Sequence, residues 1–244
     1  MTVKLCIFGG SFDPVHEGHV CMAEHARKYC GMDRVLFMPC SLSPLKEQAP
    51  SVTDDQRCRM IELAVQGLDW AVLDRTDLEL PPPSWSWRVA ERTAERYPGA
   101  ELFWLMGKDQ WDSLEQWGRW EYLSSLVTFI VYRRGGVPSP RKGVRALFIE
   151  GDEPASSTCI RHDLRSGVCP VPHLNRKVEA LIRREGLYGI GRGSLPRRAA
   201  KAVKSCVPRN RCTACSRIST LHASGRCQAS PASKGLRMGA REMQ

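Results

Sequence analysis

Lys4-Leu5-Cys6-Ile7-Phe8-Gly9-Gly10-Ser11-Phe12-Asp13-Pro14-Val15-His16-Glu17-Gly18-His19 decides how the chain begins to fold. Residues 4–8 are a short apolar run closed by two glycines, which reads as a buried strand. From Val15 to Tyr29 the apolar positions Val20, Ala23 and Ala26 recur at helical spacing, so a helix is expected there. The segment between strand and helix has neither the G-x-x-x-x-G-K-[ST] of a P-loop nor the G-x-G-x-x-G of a dinucleotide fingerprint. Its physics is similar to both. Glycines let backbone approach a phosphate, and a helix N-terminus supplies N–H groups and partial positive charge. His16 and His19 are three apart and share one face of the first turn, where two imidazoles can donate to an anion whose charge grows during reaction. The competing reading is a tight turn with capping histidines, or half of a metal site. Glycines, an Asp-Pro turn, two histidines and a helix start coincide where α/β proteins bind ligands, and this favours the ligand.

Working outward, strands and helices continue to alternate. Arg34–Pro39 reads as a strand, and Thr53-Asp54-Asp55 as a helix start whose apolar run ends before Gly67. Trp70–Leu73 is a further strand, Ser84–Tyr97 a helix stopped by Pro98-Gly99, and Glu101–Met106 a buried strand closed by Gly107. Val127–Tyr132 and Val144–Ile149 are strands joined by a Gly/Pro/Ser/basic loop. Two helices follow, one opening at Ser156-Ser157-Thr158 with hydroxyl caps, one from Asn175 to Glu185 with Val178, Leu181 and Ile182 as its apolar stripe. The expected class is α/β, a mainly parallel sheet flanked by helices.

The 244 residues carry a formal net charge of +10, and its distribution is uneven. Twelve of the 36 Lys and Arg, and one of the 26 acids, fall within 190–244, leaving 24 bases against 25 acids in 1–189. The body is neutral and the end basic. Beyond Tyr188 there is no Trp, Tyr or Phe, and Gly-Ile-Gly-Arg-Gly reads as a linker. The expectation is a folded domain over 1–189 and a basic, disordered extension over 190–244. Cys206, Cys212, Cys215, His222 and Cys227 contain one C-x-x-C without a matched second pair, so zinc binding there is the lesser alternative. The 11 cysteines are dispersed without a disulfide framework and read as reduced apolar fillers. No run approaches the ~20 apolar residues of a membrane helix, and a cytoplasmic location is expected.

Gly9 to His19 resembles the G-G-[ST]-F-D-P-x-H-x-G-H signature of the nucleotidyltransferase superfamily, and more closely the bacterial nicotinate mononucleotide adenylyltransferase family. Further segments agree in order. Pro44-Leu45-Lys46 is similar to the family's P-P-H-[KR] loop; Arg57, Met60 and Ala64 to its R-x-x-M-x-x-x-A helix; Gly107-Lys108-Asp109 to its G-x-D. Trp117 falls where the family places an aromatic residue against the pyridine ring, and Arg133-Arg134 where it has a basic pair. Ser156-Ser157-Thr158-Cys159-Ile160-Arg161 resembles S-S-T-x-I-R, and Leu187-Tyr188 the family's L-Y close. The resemblance covers about 1–189 and implies a Rossmann-like fold.

It also implies that the 5′-phosphate of nicotinate mononucleotide attacks the α-phosphorus of ATP, giving deamido-NAD and pyrophosphate. His16, His19, Lys46 and Arg161 would surround the triphosphate, with Mg²⁺ carried on ATP and no dedicated protein ligands for the metal. Gly9, Gly10, Ser11, Phe12, Gly18, Ser157 and Thr158 would bind ATP, and Ser86, Gly107, Asp109, Trp117 and Arg133 the mononucleotide. One departure matters. Where the family has S-Y-T, an acid, then Thr-Leu, this chain has Ser84-Trp85-Ser86-Trp87-Arg88-Val89. Ser86 keeps a hydroxyl, two tryptophans add bulk and Arg88 reverses a charge, so a reshaped base pocket is expected, with helix packing as the other use of Trp87.

Two rivals stand beside this reading. A non-catalytic protein could bind nucleic acid weakly through the basic extension, and a phosphopantetheine adenylyltransferase would share the first loop. The S-S-T-x-I-R helix, Trp117 and the L-Y close favour the pyridine branch. The sequence leaves open whether the chain forms a homo-oligomer and whether it prefers nicotinate or nicotinamide. His25, His162 and His173 read as surface or helix residues rather than ligands.

Overall fold

The computed structural model describes residues 2–42, 48–136 and 138–191. The expected Pro44-Leu45-Lys46 loop, and the expected basic extension with its cysteines beyond 191, lie outside them. β1 (Lys4–Gly10) runs through the glycine loop into α1 (Glu17–Cys30). β2 (Arg34–Pro39), α2 (Asp54–Val65), β3 (Ala71–Leu73), α3 (Thr76–Glu79) and α4 (Ser86–Arg96) follow. β4 (Glu101–Gly107) leads to α5 (Lys108–Asp112), a 3-10 turn at Leu114–Gln116, α6 (Trp120–Leu126) and β5 (Thr128–Arg133). β6 (Ala146–Glu150), α7 (Ser157–Arg165), α8 (Arg176–Glu185) and a 3-10 turn at Leu187–Gly189 complete the described elements.

The strands form one sheet in the order β3-β2-β1-β4-β5-β6, and every pairing is parallel. Alternate strand residues feed two cores. Cys6, Phe8, Val35, Phe37, Phe103, Leu105 and Ile130 face one side with Ala23, Met60, Ile61, Ile160, Val178 and Ile182 of α1, α2, α7 and α8. Leu5, Ile7, Leu36, Trp104, Met106 and Phe129 face the other with Val89, Trp111 and Leu123 of α4, α5 and α6. Coverage on both faces is why the strands read as continuous apolar runs rather than alternating ones. Each large apolar side chain buried this way contributes roughly 1.5–3 kcal/mol. The sequential order steps outward from β1 to β3, then returns to β4 on β1's other side. That reversal opens a crevice at the carboxyl ends of β1 and β4, the place where such sheets bind ligands.

Element ends differ from the sequence expectation for local reasons. α1 begins at Glu17, not Val15, because Val15 is fully buried under the loop and His16 takes extended backbone as the N-cap residue. α2 starts as expected: the Thr53 hydroxyl accepts the Gln56 N–H (3.3 Å) and the Gln56 side chain accepts the Thr53 N–H (3.0 Å). α4 begins at Ser86, two residues late, because Ser84 is tied to the loop after β2. Its Oγ accepts the N–H groups of Ser41 (3.0 Å) and Leu42 (3.2 Å), and its own N–H donates to the Leu42 carbonyl at 2.9 Å. β6 begins two residues after the expected Val144. The short helices α3, α5 and α6 span too few turns for apolar periodicity to reveal. Among the described residues no helix is long and apolar enough to cross a membrane.

Candidate functional site

The loop between β1 and α1 is held from three sides. Arg57 of α2, fully buried, donates to the Ser11 carbonyl at 2.8 Å and to Asp54 Oδ1 at 2.5 Å. Ser157 Oγ donates to the Pro14 carbonyl at 3.0 Å, and Arg161 donates to the Asp13 carbonyl at 2.7 Å and to Thr158 Oγ1 at 3.3 Å. The Asp13 carboxylate accepts the Ser51 N–H at 2.8 Å. The hydroxyl of Ser157 thus serves the loop, and Ser156, the N-cap residue of α7, makes no side-chain cap bond. The result brings the N-termini of α1 and α7 together. Two positive helix ends repel each other, and an anion placed between them relieves that repulsion.

Gly18 is needed for this contact. A Cβ there would lie 2.9 Å from the Ala155 Cβ and 3.1 Å from His16 Nδ1, so a side chain would separate the two helix starts. Gly10 is shaped by Phe12, whose ring would sit 3.1 Å from an added Cβ. Phe12 itself is buried at φ 46 with its ring edge-on to Phe8 at 5.4 Å.

The two histidines stack, ring centroids 3.7 Å apart. His19 Nδ1 accepts the His16 backbone N–H at 3.2 Å, so in the neutral ring the proton resides on Nε2, which becomes the donor. His16 is 6% exposed, and its pKa is pulled down to about 4, first by burial, then by His173 and Arg134. It is a neutral imidazole at pH 7. What it offers an anion is a neutral N–H rather than a positive charge.

A pH dependence follows. The unfolded chain carries His16 near its ordinary value and binds more protons than the folded one between about pH 6.5 and 4. The contribution is fully present above that window and is lost as pH falls through it, an effect on the order of 3 kcal/mol. Asp77, pushed up to about 6 mainly by burial, acts in the opposite sense, since its raised value favours the fold as pH falls. Urea unfolding at pH 7.5, 6, 5 and 4 is therefore expected to show that His16→Asn gains stability relative to the unaltered chain as the pH falls from about 6.5 to 4, the opposing Asp77 effect being common to both. Equal slopes would remove His16 as a cause.

A cavity of about 240 Å³ lies beside the loop, at the crevice between β1 and β4. Its lining includes Gly9, Gly10 and Ser11, with Gly9 against the Trp104 ring, and Ser84, Trp85, Ser86, Trp117 and Gly118. The Trp104 and Trp117 rings meet edge to face at 6.0 Å. Asp77, 5% exposed, also borders the cavity, and its Oδ1 has no hydrogen-bond partner among the described residues.

The expected site residues divide as follows. Gly9, Gly10, Ser11, Ser86 and Trp117 line the cavity, while His16, His19, Gly18, Ser157, Thr158 and Arg161 gather at the joined helix starts. Lys46 lies outside the described residues. Gly107 ends β4 as the N-cap residue of α5, its N–H donating to Gln110 Oε1 at 3.2 Å. Asp109 is exposed on α5, and Gln110 borders the cavity in its stead. Arg133 pairs with Glu150 at 3.1 Å at the sheet's edge. Its neighbour Arg134, just past the end of β5, donates to the Glu153 carbonyl at 2.8 Å and is the one whose charge reaches His16.

Trp87 lies outside the cavity lining and stacks on Arg119 instead, 4.4 Å from guanidinium to ring centroid. Of the two tryptophans expected to reshape the base pocket, Trp85 lines the cavity and Trp87 does not. Trp104, Asp77 and Gln110 went unmarked because strand and helix-end positions look alike for core and pocket. His25, on α1, is buried against Tyr132, and His173, whose charge acts on His16, accepts the Glu17 N–H on its carbonyl at 2.9 Å.

Comparison with known proteins agrees with this geometry. A cytidylyltransferase-like family model matches residues 7–163. The chain is 40% identical over 198 residues to a Methylacidiphilum infernorum protein named a probable nicotinate-nucleotide adenylyltransferase, a match that covers 77% of this chain and 93% of that one. It is 32% identical over 188 residues to the nicotinate-nucleotide adenylyltransferase of Bacillus subtilis, covering 76% and 98%. The solved Plasmodium falciparum nicotinic acid mononucleotide adenylyltransferase complexed with NaAD shares the fold, with a TM-score of 0.60 at 16% identity over 78% of this chain and 98% of that chain. The glycine-histidine loop, the joined helix starts and these matches place the chain in the bacterial nicotinate-nucleotide adenylyltransferase family.

Proposed function

We propose that the chain transfers the adenylyl group of ATP to nicotinate mononucleotide, forming deamido-NAD and pyrophosphate. The observation that carries this reading is the cavity at the β1/β4 crevice, lined both by the Gly9-Gly10 backbone and by three tryptophans. A flat base suits the tryptophans, and a triphosphate suits the joined helix starts next door.

In the reaction a 5′-phosphate oxygen of the mononucleotide forms a bond to the α-phosphorus of ATP while the bond from that phosphorus to the β-phosphate bridging oxygen breaks. No protein nucleophile is required, so alignment and charge neutralisation do the work. His16 and His19 donate to phosphate oxygens as charge moves onto pyrophosphate. Arg161, with the first turn of α7, holds the same anion, and Lys46 is assigned to it as well. ATP would enter as its Mg²⁺ complex, the cation supplying neutralisation of triphosphate charge beside the donors of His16, His19, Lys46 and Arg161. Trp117 and Ser86 hold the base, and Gly107, Asp109 and Arg133 are assigned to the mononucleotide side. We place the reaction in the cytoplasm and the activity in residues 1–189.

Steady-state pyrophosphate release with ATP against nicotinate mononucleotide, nicotinamide mononucleotide and phosphopantetheine tests the reading. Turnover with phosphopantetheine alone would overturn it, as would none with any acceptor. Trp117→Ala is expected to raise the mononucleotide KM about tenfold and leave that for ATP within about twofold, since a stacked face is worth ~0.5–1.5 kcal/mol beyond area burial. Equal weakening of both substrates would make Trp117 a packing residue. Truncation after Gly189 is expected to keep turnover within about threefold at moderate salt, because remote screened charge is worth under ~0.7 kcal/mol. A larger loss would give the extension a part in the site.

A further inference from the structure

Trp85, the residue preceding α4, lines the cavity, and so does Gly118, which follows Trp117 on another segment. A Cβ built on Gly118 would lie 2.5 Å from Cζ3 and 2.7 Å from Cε3 of the Trp85 ring. Carbon atoms in good contact stand roughly 3.5–4.0 Å apart, so no side chain larger than hydrogen fits while the indole stays where it is. Gly118 is not among the glycines at positive φ, which means that space, not backbone conformation, calls for glycine. The segments carrying the two residues are also fastened together. The Arg119 guanidinium sits 4.4 Å from the Trp87 ring and 4.6 Å from the Tyr122 ring, and the Tyr122 hydroxyl donates to Glu91 Oε1 at 2.7 Å. α4 and α6 are thereby joined to each other next to the two residues.

We propose that Trp85 and Gly118 are a matched pair in which Gly118 seats the indole and Trp85 is a specificity-determining wall for the base of the acceptor mononucleotide. The inference rests on the function proposed above and goes beyond it. With the indole seated, the tryptophan-lined end of the cavity takes a single six-membered ring. Removing the indole opens that end to a fused bicyclic base. Adding a methyl group at 118 forces the ring off its seat, so both changes disturb the same wall.

The experiment uses the full chain as wild type, Trp85→Ala, Gly118→Ala, the double variant and Trp85→Tyr, each checked for a cooperative melt. Wild-type turnover of nicotinate mononucleotide tests the function itself. Trp85→Ala is expected to raise the KM for that mononucleotide about tenfold with the KM for ATP within about twofold. It should also improve the relative kcat/KM for the mononucleotide of quinoline-3-carboxylate by about fivefold or more, the range expected when a pocket gains room for added apolar atoms. Gly118→Ala alone should raise the same KM, and the double variant should match Trp85→Ala, because a seat has no value without its occupant. Trp85→Tyr should stay within about threefold of wild type, a flat ring being retained. Additive single effects, or an unchanged KM and base preference in Trp85→Ala, overturn the pair and leave the function standing. Should Trp85→Ala fail to fold, an unchanged mononucleotide KM in Gly118→Ala overturns it equally. A wild-type chain that turns over ATP only with phosphopantetheine overturns the function and the pair together.

Discussion

His19→Ala is expected to lower kcat by about 10²-fold, the usual cost of removing one donor aimed at charge that develops in the transition state. The ring is held in place before substrate arrives. Its Nδ1 takes the His16 backbone N–H at 3.2 Å, its face lies on His16 at 3.7 Å, and Phe12 packs against it at 5.0 Å. Such a donor needs no reorganisation at the moment of reaction. His19 also completes the cap of α1, so alanine removes a cap and a donor together. His19→Gln separates them, because glutamine at the third helical position can return an oxygen to the N-cap N–H. It should keep the thermal midpoint near that of the unaltered chain and still lose most of kcat. A folded His19→Ala protein with near-normal turnover would remove His19 from the chemistry.

Arg57→Ala carries the largest expected loss of stability, about 3 kcal/mol, the scale for taking one partner out of a buried charged arrangement. Arg57 is 0% exposed, and the Ser11 carbonyl and Asp54 are the partners of its terminal nitrogens. Alanine leaves a cavity under the loop and takes away the donor to that carbonyl. For a domain of this size the thermal midpoint should drop by roughly 6–12 °C. Asp54 is half exposed and water can replace its partner, so Asp54→Asn should cost less than about 1 kcal/mol. Differential scanning calorimetry of both variants checks the ranking, and equal losses would show that the ion pair, not the bond to Ser11, is what Arg57 supplies.

The parts of this fold legible in the sequence are those that physics marks locally. Buried parallel strands such as Leu102–Met106 are unbroken apolar runs because helices cover both faces. The Thr53/Gln56 cap is written in four consecutive positions. The glycine-histidine loop is legible because its chemistry and its backbone demands fall on the same residues. The rest depends on partners distant in sequence. Ser84 looks like the start of α4, and only its bonds to Ser41 and Leu42, more than forty residues away, delay that helix. Arg133 and Arg134 look interchangeable until the edge strand offers Glu150 to one and leaves the other toward His16. Trp104 could not be told from a core tryptophan because it is one, with a single edge left to the cavity.

The two bonds that join the helix starts span nearly the whole described domain: Ser157 to Pro14 across 143 positions and Arg161 to Asp13 across 148. Such contacts have high contact order, and the loop-closure entropy they require is lost before they contribute any stability. During synthesis β1, its loop and α1 emerge first, and the segment that completes the anion site emerges more than a hundred residues later. The half-site formed early has one positive helix end and lacks the second. A nascent chain therefore gains its grip on triphosphate only when its far end docks, and ligand-dependent protection from protease should appear in one step at chain lengths beyond α7, not gradually as the sheet grows.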